Sequence, residues 1–164
     1  MYIVITRSFP PEVGEMQNLM WGLTRSLSKH YMIKVFADYH EHHQIYDKKV
    51  SFSVERVGGV KLLRKYRKAY LVNEYINKNK NIKGVIADHW KSLELIKTQN
   101  LKKTKTFCLL HSKEINHERG TLLNKRLIKS TNNADYIIAN SNYTKQLAID
   151  VGIDKKKIIL TSLT

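Results

Sequence analysis

Short β-branched runs alternate with helical patterns along nearly the whole chain, the signature of crossover units on a parallel sheet. Residues 2–6, Tyr-Ile-Val-Ile-Thr, predict a buried first strand, followed by a loop that contains Pro10, Pro11 and Gly14. A helix comes next, because Met16, Leu19, Met20, Leu23 and Leu27 fall on one stripe about 100° wide, with Trp21 off it. Residues 32–37 predict the second strand. Residues 50–57, alternating Val50, Phe52 and Val54, predict the third, closed by Gly58-Gly59. Residues 60–77 have a helical period that puts Leu62, Tyr66, Ala69 and Ile76 on the core side and Lys61, Arg64, Lys65, Arg67 and Lys68 on the other. Residues 84–88 then predict a fourth strand, 90–97 a short helix, 105–110 a fifth strand, 122–130 a helix and 135–140 a sixth strand. Ser141 or Asn142 suits the cap of a helix that Gly152 ends, and residues 157–160 make a last strand. The expected architecture is an α/β, doubly wound parallel sheet of six or seven strands in one domain. Its first strand should lie beside the 84–88 strand, where the strand order reverses.

Length agrees with one domain, since 164 residues support one ordinary core and no internal repeat or linker interrupts the pattern. Hydrophobic residues at 42% and charged residues at 26%, with 7 Gly and 2 Pro, exclude a disordered or low-complexity chain. The formal charge of +15 is spread evenly and is not a basic tail. It favours anionic partners, whether phosphosugars, nucleic acid or an acidic membrane surface. The single cysteine, Cys108, excludes an intrachain disulfide and a multi-cysteine zinc site, and its place inside a predicted strand reads as a buried, inert thiol. No window reaches the ~20 apolar residues of a membrane span. The apolar start meets Arg7 too soon for a signal peptide, so the expectation is a cytoplasmic protein.

In an open parallel sheet, ligands bind outside the carboxyl ends of the strands. That rule selects the loops at 7–14, 88–90, 111–114 and 140–144, where Arg7, Glu12, Glu15, Asp88, His89, His111, Lys113, Glu114, Asn140, Ser141 and Asn142 concentrate. Helix capping alone would also account for Ser141 and Asn142. Trp90 either stacks on sugar C–H groups or fills the core. His40, His42 and His43 sit in a loop with no cysteine beside them, so no metal site is expected there. Residues 61–83 carry eight Lys and Arg against one acid, Glu74, with Val72 and Tyr75 interrupting the basic arc. Such mixing suits a helix drawn to anionic lipid headgroups, or else a solvated outer face.

Four segments in order, each at a predicted strand end, carry a resemblance. They are Ser8-Phe9-Pro10-Pro11-Glu12-Val13-Gly14, Asp88-His89-Trp90, His111-Ser112-Lys113-Glu114, and the stretch 134–144 ending Ala139-Asn140-Ser141-Asn142-Tyr143-Thr144. Together they resemble the amino-terminal, acceptor-side domain of family 4 glycosyltransferases, whose GT-B fold has two facing Rossmann-like domains. The resemblance implies retaining transfer of a sugar from a nucleotide sugar to an acceptor, with no required metal or other cofactor. It implies that residues 1–164 hold the acceptor and that most of the donor nucleotide sits on a carboxyl-terminal domain absent from this sequence, supplied in cis or in trans. His111 matches the family histidine that reaches the transferred sugar, and a neutral imidazole can donate to or accept from a sugar hydroxyl. Arg7, Gly14, Glu15, His89, Trp90, Lys113, Glu114, Asn140, Ser141 and Asn142 would border the acceptor. The sequence departs from the family where Gly14-Glu15 replaces a glycine pair and where Ser112 replaces a glycine. The resemblance also implies lipid-linked glycan or lipopolysaccharide acceptors in polysaccharide biosynthesis, met at the inner membrane face through Lys61, Arg64, Lys65, Arg67 and Lys68.

Two other readings compete. A nucleic-acid-binding domain draws on the charge and on nine Tyr, four Phe and two Trp, but no helix-turn-helix, zinc-finger or RNA-recognition signature is present. A noncatalytic sugar-binding or interaction module would keep the fold and lack the donor half.

Overall fold

Seven parallel strands form one sheet in the computed structural model, which describes residues 1–98, 101 and 103–161. In chain order the elements are β1 (Tyr2–Ile5), α1 (Glu15–Ser28), β2 (Ile33–Asp38), α2 (His43–Asp47), β3 (Ser53–Val57), α3 (Lys61–Lys78) and β4 (Gly84–Ala87). There follow α4 (Trp90–Leu93), β5 (Lys105–Leu110), α5 (Ser112–Ile115), α6 (Leu122–Asn132), β6 (Tyr136–Ala139), α7 (Asn142–Asp150) and β7 (Ile158–Leu160), the last preceded by a 3-10 turn at Lys155–Lys157. The strand order is β3-β2-β1-β4-β5-β6-β7, so the winding reverses between β1 and β4 as expected. Tyr2 pairs with Gly84 and Ile5 with Ala87 across that seam. Gly84 is required there, since a Cβ would stand 2.6 Å from the Tyr2 ring and 3.3 Å from the Lys105 carbonyl.

The apolar strand runs are continuous because both sheet faces are covered. Val4, Met20, Val35, Ile86 and Leu109 pack on the α1 side, and Ile3, Ile5, Val72, Val85, Trp90 and Leu127 on the other. Gly152, at φ +106°, ends α7 as predicted, with its N–H and that of Ile153 closing on Ile149 and Ala148 carbonyls.

Several local expectations are corrected. The third strand begins at Ser53, because its ladder to β2 starts at the Lys34–Ser53 pair. The predicted 90–97 helix stops at Leu93, where the Asn73 side chain takes the Leu95 carbonyl and the Lys97 N–H away from any helical ladder. Trp21, which lies off the α1 stripe as expected, is half-buried, edge-on to Phe9, Phe52 and Tyr46.

The largest correction concerns α3. Its 18 residues extend ~27 Å at ~1.5 Å each, twice the ~13 Å of a four-residue strand such as β4. The first turns therefore overhang the carboxyl edge of the sheet. Leu62 and Tyr66, expected in the core, are 84% and 53% exposed, while Lys68, expected on the outer face, is 4% exposed.

Candidate functional site

The register across the β1/β4 seam places Thr6 beside Asp88. Asp88 is buried, and its Oδ2 accepts from the Thr6 hydroxyl at 2.8 Å and the Arg7 N–H at 2.9 Å. Its Oδ1 accepts from the Ser92 hydroxyl at 2.6 Å. These three hydrogen bonds pin the loop after β1 to the start of α4, which fixes where Arg7 leaves the sheet.

Next to this pin stands a His–Glu pair. The buried His89 accepts from the Lys91 N–H at Nδ1, 2.8 Å, so its proton resides on Nε2, which donates to Glu114 Oε2 at 2.8 Å. Burial pushes the Glu114 carboxyl up in pKa, but the His89 hydrogen bond and the electrostatic pull of His89, His111 and Arg7 together hold it below its ordinary value. Glu114 is thus an ionised acceptor at neutral pH, with Oε1 making no hydrogen bond among the described residues. His111 precedes α5, and its Nε2 is buried with no hydrogen-bond partner. With Asn140, Leu19 and Leu23 it lines an apolar cavity of about 160 Å³. Trp90 is wholly buried, its indole N–H donating to the Glu114 carbonyl at 3.0 Å; it is core, not an aromatic platform for an acceptor.

The other predicted residues divide. Ser141 caps α7, accepting from the Thr144 N–H at 3.1 Å, and Asn140 accepts from the Thr144 hydroxyl at 2.9 Å, so capping accounts for both side chains. Lys113, Glu15 and Asn142 are exposed. Gly14 precedes α1 in extended backbone, where a Cβ would meet only the mobile end of the Gln17 side chain. His43 is taken by Asp47 at 2.8 Å, and Asp47 is also gripped by Arg56. Among the described residues no three His, Cys, Asp or Glu side chains converge as metal ligands. Cys108 is fully buried; burial, then the Asp88 and Glu114 charges, push its thiol far up in pKa, so it stays protonated.

A second feature at the same edge was not legible in the sequence. Under the overhang of α3, Lys68 Nζ donates to the Thr6 carbonyl at 2.7 Å and pairs closely with Asp38 at the end of β2. Burial drives the Lys68 ammonium pKa down against the pull of Asp38, and the charge of Arg7 lowers it further. Arg64 reaches the same Asp38 at 3.4 Å, and Arg67 bonds the Gly58 carbonyl at 3.3 Å. Periodicity alone assigned all three basic residues to solvent, where only Arg67 is exposed. Only the mismatch between helix and strand lengths could have signalled that they roof the strand ends.

No protein-family model matches the chain, and no curated protein sequence matches it. Solved structures do. HepE (Alr3699) of Anabaena in complex with UDP superposes on 97% of this chain and 43% of its own, with a TM-score of 0.70 at 13% identity. The lipopolysaccharide outer core galactosyltransferase WaaB matches 97% of this chain and 44% of its own, at TM-score 0.64 and 16% identity. The UDP-GlcNAc 2-epimerase of Methanocaldococcus jannaschii matches 98% and 45%, at TM-score 0.61 and 15% identity. The fold is the one that GT-B glycosyltransferases use. The chain spans less than half the length of each of these proteins.

Proposed function

We propose that the chain is the acceptor-side domain of a retaining glycosyltransferase that takes a sugar from a nucleotide sugar, the donor being held mainly by a second domain in cis or in trans. The observation that carries this reading is the convergence of Arg7, His89, Glu114 and His111 at the carboxyl edge of a sheet shared with HepE, which has been solved with UDP and with UDP-glucose. In this reading Glu114 accepts from an acceptor hydroxyl, His89 fixes the Glu114 carboxylate, and His111 uses its unpartnered Nε2 on the transferred sugar. No metal is needed for these roles. The likeness to a 2-epimerase supports a second reading, nucleotide-sugar epimerisation on the same fold.

The acceptor in this proposal is a lipid-linked glycan or lipopolysaccharide met at the cytoplasmic membrane face. Support comes from the overhanging turns of α3, where Leu62, Leu63, Tyr66 and Tyr70 are exposed beside Lys61 and Arg67. Lys68 has no part in such a surface, because it is buried. The test incubates the complete enzyme with radiolabelled UDP-sugars and a lipid extract and resolves both lipid-borne label and free epimer. Label moved to lipid supports transfer; a 2-epimer without transfer would replace this reading by the second.

A further inference from the structure

A cavity of about 260 Å³ opens under the α3 overhang, lined by Arg7, Lys61, Arg64, Lys65, Lys68 and Lys91 against a single acid, Asp38. The basic side chains come from three separate places, the end of β1, the first two turns of α3 and the start of α4, so no local run of sequence explains their meeting. Asp38 is already used by Lys68 and Arg64. Lys65 reaches Glu94 only at 3.9 Å, and Arg7, Lys61 and Lys91 have no carboxylate within 4.0 Å among the described residues. Arg64 Nε is buried with no hydrogen-bond partner, a donor left without an acceptor beside the cavity. Like charges held around one concavity repel, and an unfilled buried donor costs free energy; a multivalent anion with several acceptor oxygens removes both penalties. A water occupies about 30 Å³ of liquid, so the space admits a group several waters in volume.

We propose that this cavity is a phosphate subsite: the gathering of Arg7, Lys61, Arg64, Lys65, Lys68 and Lys91 around a space with one neutralised acid assigns the acceptor to the phosphate or diphosphate esters. This rests on the acceptor-side reading and narrows it, because a neutral glycan would leave Arg7, Lys61 and Lys91 without a counter-charge. Arg7 joins the two parts of the edge, since its charge acts on both Lys68 and Glu114. An acceptor anchored here by its phosphate would extend its sugar hydroxyls past Arg7 toward Glu114.

The test titrates the chain with inorganic pyrophosphate and with glycerol 3-phosphate at constant ionic strength, following backbone amide shifts. Saturable changes are expected at Arg7, Lys65 and Ser92. The triple variant Lys61→Gln, Lys65→Gln, Lys91→Gln should lose at least tenfold in affinity, whereas Lys49→Gln, Lys155→Gln, Lys156→Gln, with the same change in net charge on exposed remote lysines, should lose under twofold. Lys68→Met is a sharper probe only if it folds, and the triple variant does not depend on it. Equal losses in the two triple variants, or shifts spread over the surface lysines without saturation, would overturn the subsite. Phosphatidylcholine vesicles with and without phosphatidic acid identify the source. If the phosphate is a lipid headgroup, Leu62→Ser with Tyr66→Ser weakens vesicle binding and spares glycerol 3-phosphate. If it belongs to a soluble ester, vesicles do not bind and the soluble probes still do. Because the readout is anion binding, failure of the complete enzyme to transfer sugar would leave this result standing, and the converse also holds.

Discussion

Glu114 is kept ionised by its neighbours, and this has a definite pH signature. A carboxyl whose folded pKa lies below its unfolded value adds stability above the ordinary carboxylate range and loses it as pH falls through the folded value. Glu94 behaves alike, its pKa lowered by the Arg126 hydrogen bonds at 2.6 and 2.8 Å against an opposing effect of burial. Glu114→Gln should therefore lower the urea midpoint at pH 7 and have a smaller effect at an acid pH below the folded pKa of the carboxyl, where the wild type has lost that contribution. An equal effect at both pH values would show that packing, not charge, is at stake. His111→Ala in the complete enzyme should cut turnover ~10²-fold, the usual scale for one positioned hydrogen bond in a closed site, with the thermal midpoint nearly unchanged. Unchanged turnover would return His111 to a structural role. Both residues were legible because they follow β5 directly, where the chemistry of an open sheet concentrates. The partnership of His89 with Glu114 was not, since 25 residues separate them and only the β4/β5 pairing brings their loops together.

At the scale of elements, α3 determines most of what is unusual about this edge. Strand runs and cap residues were readable because they depend on local period and on Gly152 and Ser141. The orientation of α3 was not, because Leu62 has the right phase for the core yet lies beyond the end of the sheet. The overhang makes the Lys68–Asp38 pair a buried bridge between helix and sheet, and breaking such a pair from one side costs about 3 kcal/mol. Asp38→Asn should show a loss of that size by chemical denaturation at neutral pH. The loss should shrink toward pH 10: Lys68 already has a lowered pKa, losing Asp38 lowers it further, and a neutral amine no longer needs the carboxylate. The outer side of the same turns gives a separate expectation. Burying one such apolar side chain in an interface is worth ~1.5 kcal/mol or more, so Leu62→Ser with Tyr66→Ser should reduce partition onto anionic vesicles at least tenfold in a flotation assay. Stronger binding to duplex or single-stranded nucleic acid, at the same near-physiological salt and unaffected by these changes, would favour the nucleic-acid reading instead.

In the proposed function this chain supplies one wall of a cleft. Small-molecule sites usually enclose about 70–90% of the ligand surface in a pocket of roughly 300–1,000 Å³; the cavity beside His111, on the α1 face, is about 160 Å³ and the cationic cavity, on the α3 face, about 260 Å³, both at the carboxyl end of the sheet. A nucleotide sugar should therefore find little here to hold its base and ribose, while its diphosphate would still meet the cations under α3. Calorimetry of the chain should detect no binding of uridine. Any weak heat with UDP-glucose should disappear in the presence of inorganic pyrophosphate and in the Lys61→Gln, Lys65→Gln, Lys91→Gln variant. Transfer to any acceptor by this chain alone should be undetectable, because a sugar anchored only through its diphosphate is not oriented against Glu114 and loses the gain that positioning supplies. Submillimolar affinity for UDP-glucose that survives both the competitor and the triple substitution would mean that the base and sugar are recognised within these 164 residues. The donor site would then lie on this wall, and the apolar cavity beside His111 and Asn140 would be the first place to look for it.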